Sequence, residues 1–399
     1  MRATKATASS IVLAVCGAAA NLACTNFDRE DRIEDMRVLA VRMEPPEILY
    51  SPLFLQPAAQ RPPGFPLPTV DVQLEFFAFD PRGGRVETSV QLCPDNAEDN
   101  SCRIYDPSDD VAAEPPAARD ELAALLTPVV TESEIAADAT PIGRVLPATA
   151  TWHLTPPVID FFIDDDNRGN PIPSIFPQTP RVVVEARNLD IVEPAEVQKE
   201  RAFKRLPISI DLTSPELPPS VVEDLAEGLG ITLCEAPIPD EEFLEQGRAS
   251  CLERRLPNHN PGLLGFKIEP DPEQMSEGYL SDVAPDLGIG SLLRADPGAL
   301  IAVTPVFTPD ASEQYQVISF DIDTSKIILL NRVEDLACTW YSTRGDVSAS
   351  LTALQQRDAL GVTWRLPFEA QAGERDSMVL VVLDQRGGTA VGEITVEYR

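Results

Sequence analysis

Four landmarks recur along this chain in one order, and that recurrence constrains the fold more than any single motif. "LAVRMEPPE" at 39–47 is answered by "LGFKIEPDP" at 264–272; both read apolar, small, apolar, base, apolar, Glu, Pro. "TWHL" at 151–154 returns as "TWRL" at 363–366, and "RVVVEARN" at 181–188 as "SMVLVVLD" at 377–384. Finally "LPISIDL" at 206–212 returns as "GEITVEYR" at 392–399. A repeated series of this kind marks a duplicated structural unit.

The unit reads as β. Val70, Val72, Leu74, Phe76 and Ala78 alternate with Asp71, Gln73, Glu75 and Phe77, the period of two of a half-buried strand. Val86, Thr88, Val90 and Leu92 continue the pattern on a returning strand, and "GALIAVTPVF" at 298–307 is the counterpart in the second copy. The chain holds 38 prolines, roughly twice the usual share, which disfavours long helices and suits edge strands and stiff loops. Trp152 and Trp364 each have apolar neighbours two residues away and read as core anchors, one per copy. The expected fold is all-β: two tandem immunoglobulin-like β-sandwiches, 35–213 and 258–399, joined by a partly helical connector at 214–257. "SVVEDLAEG" reads as a short helix there, opened by Ser220 and closed by Gly228. Residues 50–69 form a proline-rich loop, and 158–179 an insertion.

The first 23 residues read as a lipoprotein-type signal peptide. Arg2 and Lys5 precede the apolar "SSIVLAVCGAAA", which is too short to span a bilayer. "NLAC" at 21–24 then gives way to the polar "TNFDREDRIED". Cys24 is the expected lipidation site, with 24–34 as a polar tether. The usual pattern has Leu where Asn21 stands and a small residue where Leu22 stands; the rival "LAVC" at 13–16 places Val15 at the cleavage position after a shorter apolar run. Thr25, rather than Asp, follows the Cys and favours the outer membrane.

Export suits the cysteines. Cys93 and Cys102 flank one short polar segment, and Cys234 and Cys251 another, so two local disulfides are the simplest pairing in an oxidising compartment. Cys338 is left over, as a buried thiol or as a competitor for one of those pairings.

"FFAFDPRGGR" at 76–85 and "LVVLDQRGGT" at 380–389 share Asp-x-Arg-Gly-Gly. Asp80 and Asp384 suit the first position of a type I turn, and Gly83 and Gly387 suit a positive-φ fourth position, so both segments are expected to be tight hairpins. Turn chemistry accounts for every residue except the Arg. The motifs occupy different places in the two copies, before the Trp strand in the first and after it in the second, which favours a turn device over a shared binding site.

Function is less constrained. Net charge is −32 with no basic stripe, which argues against nucleic acid and anionic lipid surfaces as partners. Asp164, Asp165, Asp166 and Asn167 form the cation candidate. An EF-hand register from Asp164 fails at Arg168 and Ile175, so a solvated loop tip is the plainer account and Ca²⁺ the alternative. No Cys-x-x-Cys accompanies the two histidines, His153 and His259, which removes a zinc reading. Arg344-Gly345-Asp346 reads as a hairpin turn. No nucleophile elbow, P-loop or metalloprotease motif occurs, so an enzyme is not expected and no cofactor is implied.

"RVLAVRMEPPE", the "DPRGG" turn, the Trp-x-Leu strand and the closing "VVLDQRGG" resemble predicted surface lipoproteins of Gram-negative bacteria with immunoglobulin-like domains. The resemblance implies no catalytic residues. The expected role is a lipid-anchored envelope protein, periplasmic or surface-facing, in adhesion, scaffolding or protein contact. The alternative is a glycan- or calcium-binding module serving polysaccharide handling.

Overall fold

The computed structural model describes residues 31–51, 69–93, 129–135, 149–155, 180–191, 199–214, 217–238, 247–270, 286–321, 324, 326–353 and 360–399. Residues 1–23, Cys24, Cys102 and the Asp164, Asp165, Asp166, Asn167 cluster lie outside them.

The first copy comprises β1 (Arg37–Glu44), β2 (Ile48–Tyr50), β3 (Val70–Phe79), β4 (Gly84–Cys93), β5 (Val129–Ile135), β6 (Thr149–Leu154), β7 (Arg181–Asn188), β8 (Lys199–Arg205) and β9 (Ile208–Ile210). One sheet runs β1-β3-β6 and the facing sheet β5-β4-β7-β8, while β2 pairs in parallel with β9. In immunoglobulin lettering this is A-B-E against C′-C-F-G, with A′ running parallel to G. Val72, Leu74 and Trp152 from one sheet meet Val90, Leu92 and Val184 from the other. Each such buried side chain contributes about 1.5–3 kcal/mol relative to exposure.

The connector holds the one helix of the described residues, α1 (Pro219–Leu229), and β10 (Arg248–Ala249). The helix starts and stops elsewhere than the sequence reading places it. Pro219, not Ser220, opens it, because its fixed φ suits the first helical position. Gly230, not Gly228, closes it, in the left-handed conformation at φ 68°. Gly230 N–H and Ile231 N–H donate to the carbonyls of Glu227 and Ala226, which satisfies the helix end. A Cys234–Cys251 disulfide staples the rest.

The second copy comprises β11 (Leu263–Pro270), β12 (Asp286–Gly288), β13 (Ser291–Ala295), β14 (Leu300–Phe307), β15 (Gln314–Asp321), β16 (Lys326–Val333), β17 (Ala337–Ser342), β18 (Asp346–Val347), β19 (Leu351–Ala353), β20 (Val362–Arg365), β21 (Arg375–Leu383) and β22 (Thr389–Tyr398). Its sheets run β12-β11-β14-β20-β18 and β13-β22-β21-β17-β19, and β13 runs parallel to β22. The A-B-E and C-F-G strands of the first copy therefore recur, with A′ again beside G. The chief addition is the β15–β16 hairpin, placed between B and C. It leaves its own sandwich and pairs with β10, and its Leu329 packs into the first core.

Trp152 and Trp364 are 4% and 1% exposed and occupy equivalent strands, β6 and β20. The strand-C Trp typical of immunoglobulin domains is instead Trp340 on β17, fully buried beside Phe266. The free thiol of Cys338 shares that core, and burial pushes it up to about 12.

The two sandwiches pack face to face. Ala40, Phe77 and Phe79 on the outer side of β1 and β3 meet Val379 and Val381 on the outer side of β21. This explains the unbroken apolar run of β21: Met378, Leu380 and Val382 fill its own core while the residues between them fill the junction. Phe77, on the polar side of the period-two pattern, is buried there for the same reason. Ile33 is wholly buried in the same cluster, and its N–H bonds Ser342 O at 2.8 Å. Residues 31–33 are thus docked, where the sequence pattern suggests a tether.

Candidate functional site

The two Asp-x-Arg-Gly-Gly turns differ in what they connect. The second is a hairpin: β21 and β22 pair from Leu383–Thr389 outward, and Asp384 N–H donates to Gly388 O at 3.2 Å. The first is a tight turn but not a hairpin. Gly83 N–H donates to Asp80 O at 3.1 Å, yet β3 and β4 belong to opposite sheets. That link is the B–C corner of a sandwich, which must cross between layers. Gly83 and Gly387 stand at φ 71° and 102°. In both turns the Asp carboxylate accepts the N–H of the Arg two residues on, at 3.0 Å from Arg82 and 2.8 Å from Arg386.

The arginines diverge. Arg82 folds back onto its own Asp80, with 2.9 and 3.0 Å bonds to the two carboxylate oxygens. Arg386 turns away from its motif into the junction, where only 8% of its side chain is exposed. Its guanidinium donates to Glu47 at 2.8 Å, Glu313 at 3.1 Å and Leu256 O at 3.1 Å, with Glu334 at 3.5 Å. Tyr315 lies beneath it, ring centre 5.1 Å away. Glu47 comes from the first sandwich and also holds Arg255 of the connector. Glu313 and Glu334 flank the β15–β16 hairpin and close its base, Glu334 N–H to Glu313 O at 2.9 Å. One side chain thus ties together sandwich one, the connector, the inserted hairpin and sandwich two.

Acid outweighs base around this hub. Burial, then Asp384, push the Glu334 carboxyl up to about 7, against the opposing pull of the Glu313 N–H and Arg386. Arg386 itself is held further toward its charged form by Glu47 and the other carboxylates.

Two cavities of about 320 and 430 Å³ meet at Arg386 and Tyr315. The larger is bounded by β8, β9, the β15 strand and the second turn. It carries Lys204 from β8, whose ammonium bonds Thr389 Oγ1 at 2.5 Å. Burial pushes this lysine down to about 8, despite Asp384.

Of the other sequence candidates, only His259 touches this junction among the described residues. Asp71 and His153 pair at 2.6 Å on an exposed face. His259 bonds Glu313 at 2.8 Å, at the margin of the hub. Arg344-Gly345-Asp346 is a corner between sheets rather than a hairpin, because β17 and β18 lie in opposite layers. Its Arg344 is engaged by Asp376 and Glu374, and its Asp346 by Arg32. Cys93 is disulfide-bonded, with its partner outside the described residues. No group of three or more metal-ligating side chains occurs among the described residues. No helix among them is long and apolar enough to cross a membrane.

No family model matches the chain, and no curated protein does. Solved structures overlap it only loosely. Red sea bream transglutaminase is 8% identical over 99% of this chain and 34% of its own, with a TM-score of 0.21. Dimeric latent PorU from Porphyromonas gingivalis is 11% identical over 92% and 24%, TM-score 0.16. A nucleoside hydrolase-related protein from Saccharophagus degradans is 12% identical over 36% and 26%, TM-score 0.21. This chain spans about a third or less of each, and overlaps this weak carry no argument about activity.

Arg386 is the hub residue, and turn chemistry alone leaves it unexplained. Its signal is an Arg in a turn whose other residues are all accounted for, in a chain where acids outnumber bases two to one, 64 against 32. Glu47 and Lys204 carry no sequence signal of their own.

Proposed function

We propose that the chain is an exported, lipid-anchored envelope protein that works without catalysis, as a scaffold or adhesion module making protein contacts. The observation that supports this most is the coupling of the two sandwiches into one body. A shared apolar face and a buried Arg386 hub resist hinge motion and fix the geometry of the outer edges. The β5 strand, which ends its sheet among the described residues, fits such contacts. It pairs on one side with β4, and Val129 and Val130 are 42% and 55% exposed. Main-chain groups on an edge of that kind accept an added strand from a partner.

A photo-crosslinking residue in place of Val130, in the native host, tests the contact. Crosslinks to an envelope protein, absent with the same residue at Glu132→Lys-blocked edges, support it; a clean monomer band overturns it. Mass spectrometry of the mature N-terminus tests the anchor, which requires a lipid-modified Cys24.

A further inference from the structure

The larger junction cavity holds polar groups that the fold does not use. Lys204 has a single hydrogen bond among the described residues, to the neutral hydroxyl of Thr389, and no carboxylate within ion-pair distance. Ser209 is 1% exposed, and its Oγ has no partner among the described residues. Both line the same cavity. The strand pattern explains the placing of Ser209: Ile208 points into the first core, so its neighbour points to the opposite side, toward sandwich two. A buried hydroxyl without a partner is costly unless something completes it, and a part-buried ammonium that makes no ion pair gains from a nearby anion.

The remaining wall defines the shape of what completes them. Arg255 and Arg386 are already bonded to Glu47, which leaves the part-buried Lys204, and the exposed Arg205 beside it on the wall, as the cations not committed to a carboxylate among the described residues. Asp384 lies on the same wall and repels a second negative charge. Pro207 and Val317 supply apolar surface. A volume of about 430 Å³ lies within the range of small-molecule sites.

We propose that this cavity binds a small monocarboxylate with an apolar body, held by Lys204 Nζ and Ser209 Oγ. The pairing places a charge-assisted hydrogen bond and a neutral one on the two carboxylate oxygens. A phosphate dianion meets the same cation but is opposed by Asp384. The depressed affinity of Lys204 for its proton accords with a cation awaiting a counter-charge. This site is independent of the contact role proposed above, and its failure leaves that role intact.

The test is calorimetric titration and thermal melting of the full mature chain with benzoate and hexanoate, against benzamide and inorganic phosphate. Both carboxylates are expected to bind at millimolar concentration or tighter and to raise the melting temperature by roughly 2 °C. Benzamide should do neither. Lys204→Met and Ser209→Ala, each compared with its own ligand-free melt, should lower affinity at least tenfold and threefold. Absence of carboxylate binding, equal binding of benzamide, or unchanged binding in both variants overturns the site. Binding of phosphate in preference to both carboxylates overturns the ligand class.

Discussion

Arg386 and Glu47 are 339 residues apart in sequence and 2.8 Å apart in space, and both side chains are more than nine-tenths buried. Each belongs to a turn, one between the last two strands of the second sandwich and the other between the first two strands of the first. Glu47 takes its cations, Arg386 and Arg255, from outside its own sandwich, and Arg386 adds Glu47 to the acceptors Glu313 and Glu334 of its own copy. The pair therefore measures how far the two copies have become one folding unit.

Removal of one partner from a buried ion pair strands the other charge, at a cost of about 3–5 kcal/mol. Arg386→Met leaves Glu47, Glu313 and Glu334 without their shared cation, and its loss should fall at the upper part of that range. Glu47→Gln should recover part of the loss in the double variant, because a buried carboxylate that has lost one of its two cations is then gone. Differential scanning calorimetry provides the check. The wild type should melt in one coupled transition, and Arg386→Met should lower it and separate it into two. An unchanged single transition would show that the apolar face alone couples the sandwiches.

Glu334 gives the hub a pH dependence of definite sign. Its folded carboxyl titrates at about 7, above its ordinary 4.5. Between those values the folded state holds a proton that the unfolded state has released, so stability falls as pH rises. The contribution is full below 4.5 and gone above 7. The stability difference between wild type and Glu334→Gln should therefore shift against the wild type by about 3 kcal/mol across this window and stay flat above it. Paired urea melts at several pH values measure it, with the variant cancelling the background from the other acids.

The Cys234–Cys251 bond closes a loop with a sequence separation of 17 and a Cα–Cα distance of 5.0 Å. Its removal in Cys234→Ala/Cys251→Ala should cost about 2–3 kcal/mol, chiefly through the freer unfolded chain. Part of the strap survives without it: Ile231 and Leu252 sit in the first core, and Leu252 N–H bonds Thr232 O at 2.7 Å. The variant should therefore remain folded, with faster amide exchange confined to the connector.

The strands, their duplication and their order were legible because period-two patterning is local and each copy repeats it. The Cys234–Cys251 staple was legible for the same reason, as a short-range pairing. Partners across the junction were not. Phe77 reads as a residue of the polar face because nothing within β3 announces that a second sandwich covers it. The same ambiguity hides a sheet corner: "FDPRGG" carries turn chemistry that serves a hairpin and an interlayer crossing equally well. Arg386 showed only as a residue that its turn did not need, since its acceptors come from Glu47, Glu313 and Glu334, each distant in the chain. Trp340 lies outside the repeated landmarks, so the repeat carries no signal for it.

The two glycine turns should respond unequally to a methyl group. A Cβ built on Gly83 meets nothing within 4 Å, so Gly83→Ala suffers only from its φ of 71°, at about 1 kcal/mol. Gly387, at φ 102°, carries a similar backbone penalty, with Pro207 and Pro46 O already at 3.4 Å. Gly388 is the severe case. A Cβ there lies 2.0 Å from Asp384 Oδ2 and 2.8 Å from His259 O. Asp384 cannot simply swing aside, because its carboxylate accepts the N–H groups of Arg386 and Gly388 at 2.8 and 2.7 Å. Gly388→Ala should displace that carboxylate, release the turn and move Arg386 off its acceptors, for a loss of about 3 kcal/mol. Melting curves should rank the wild type above Gly83→Ala, then Gly387→Ala, then Gly388→Ala. In an Arg386→Met background the gap between Gly388→Ala and Gly83→Ala should narrow, since the hub that the turn positions is already gone. An unchanged gap would mean that the turn and the hub act separately.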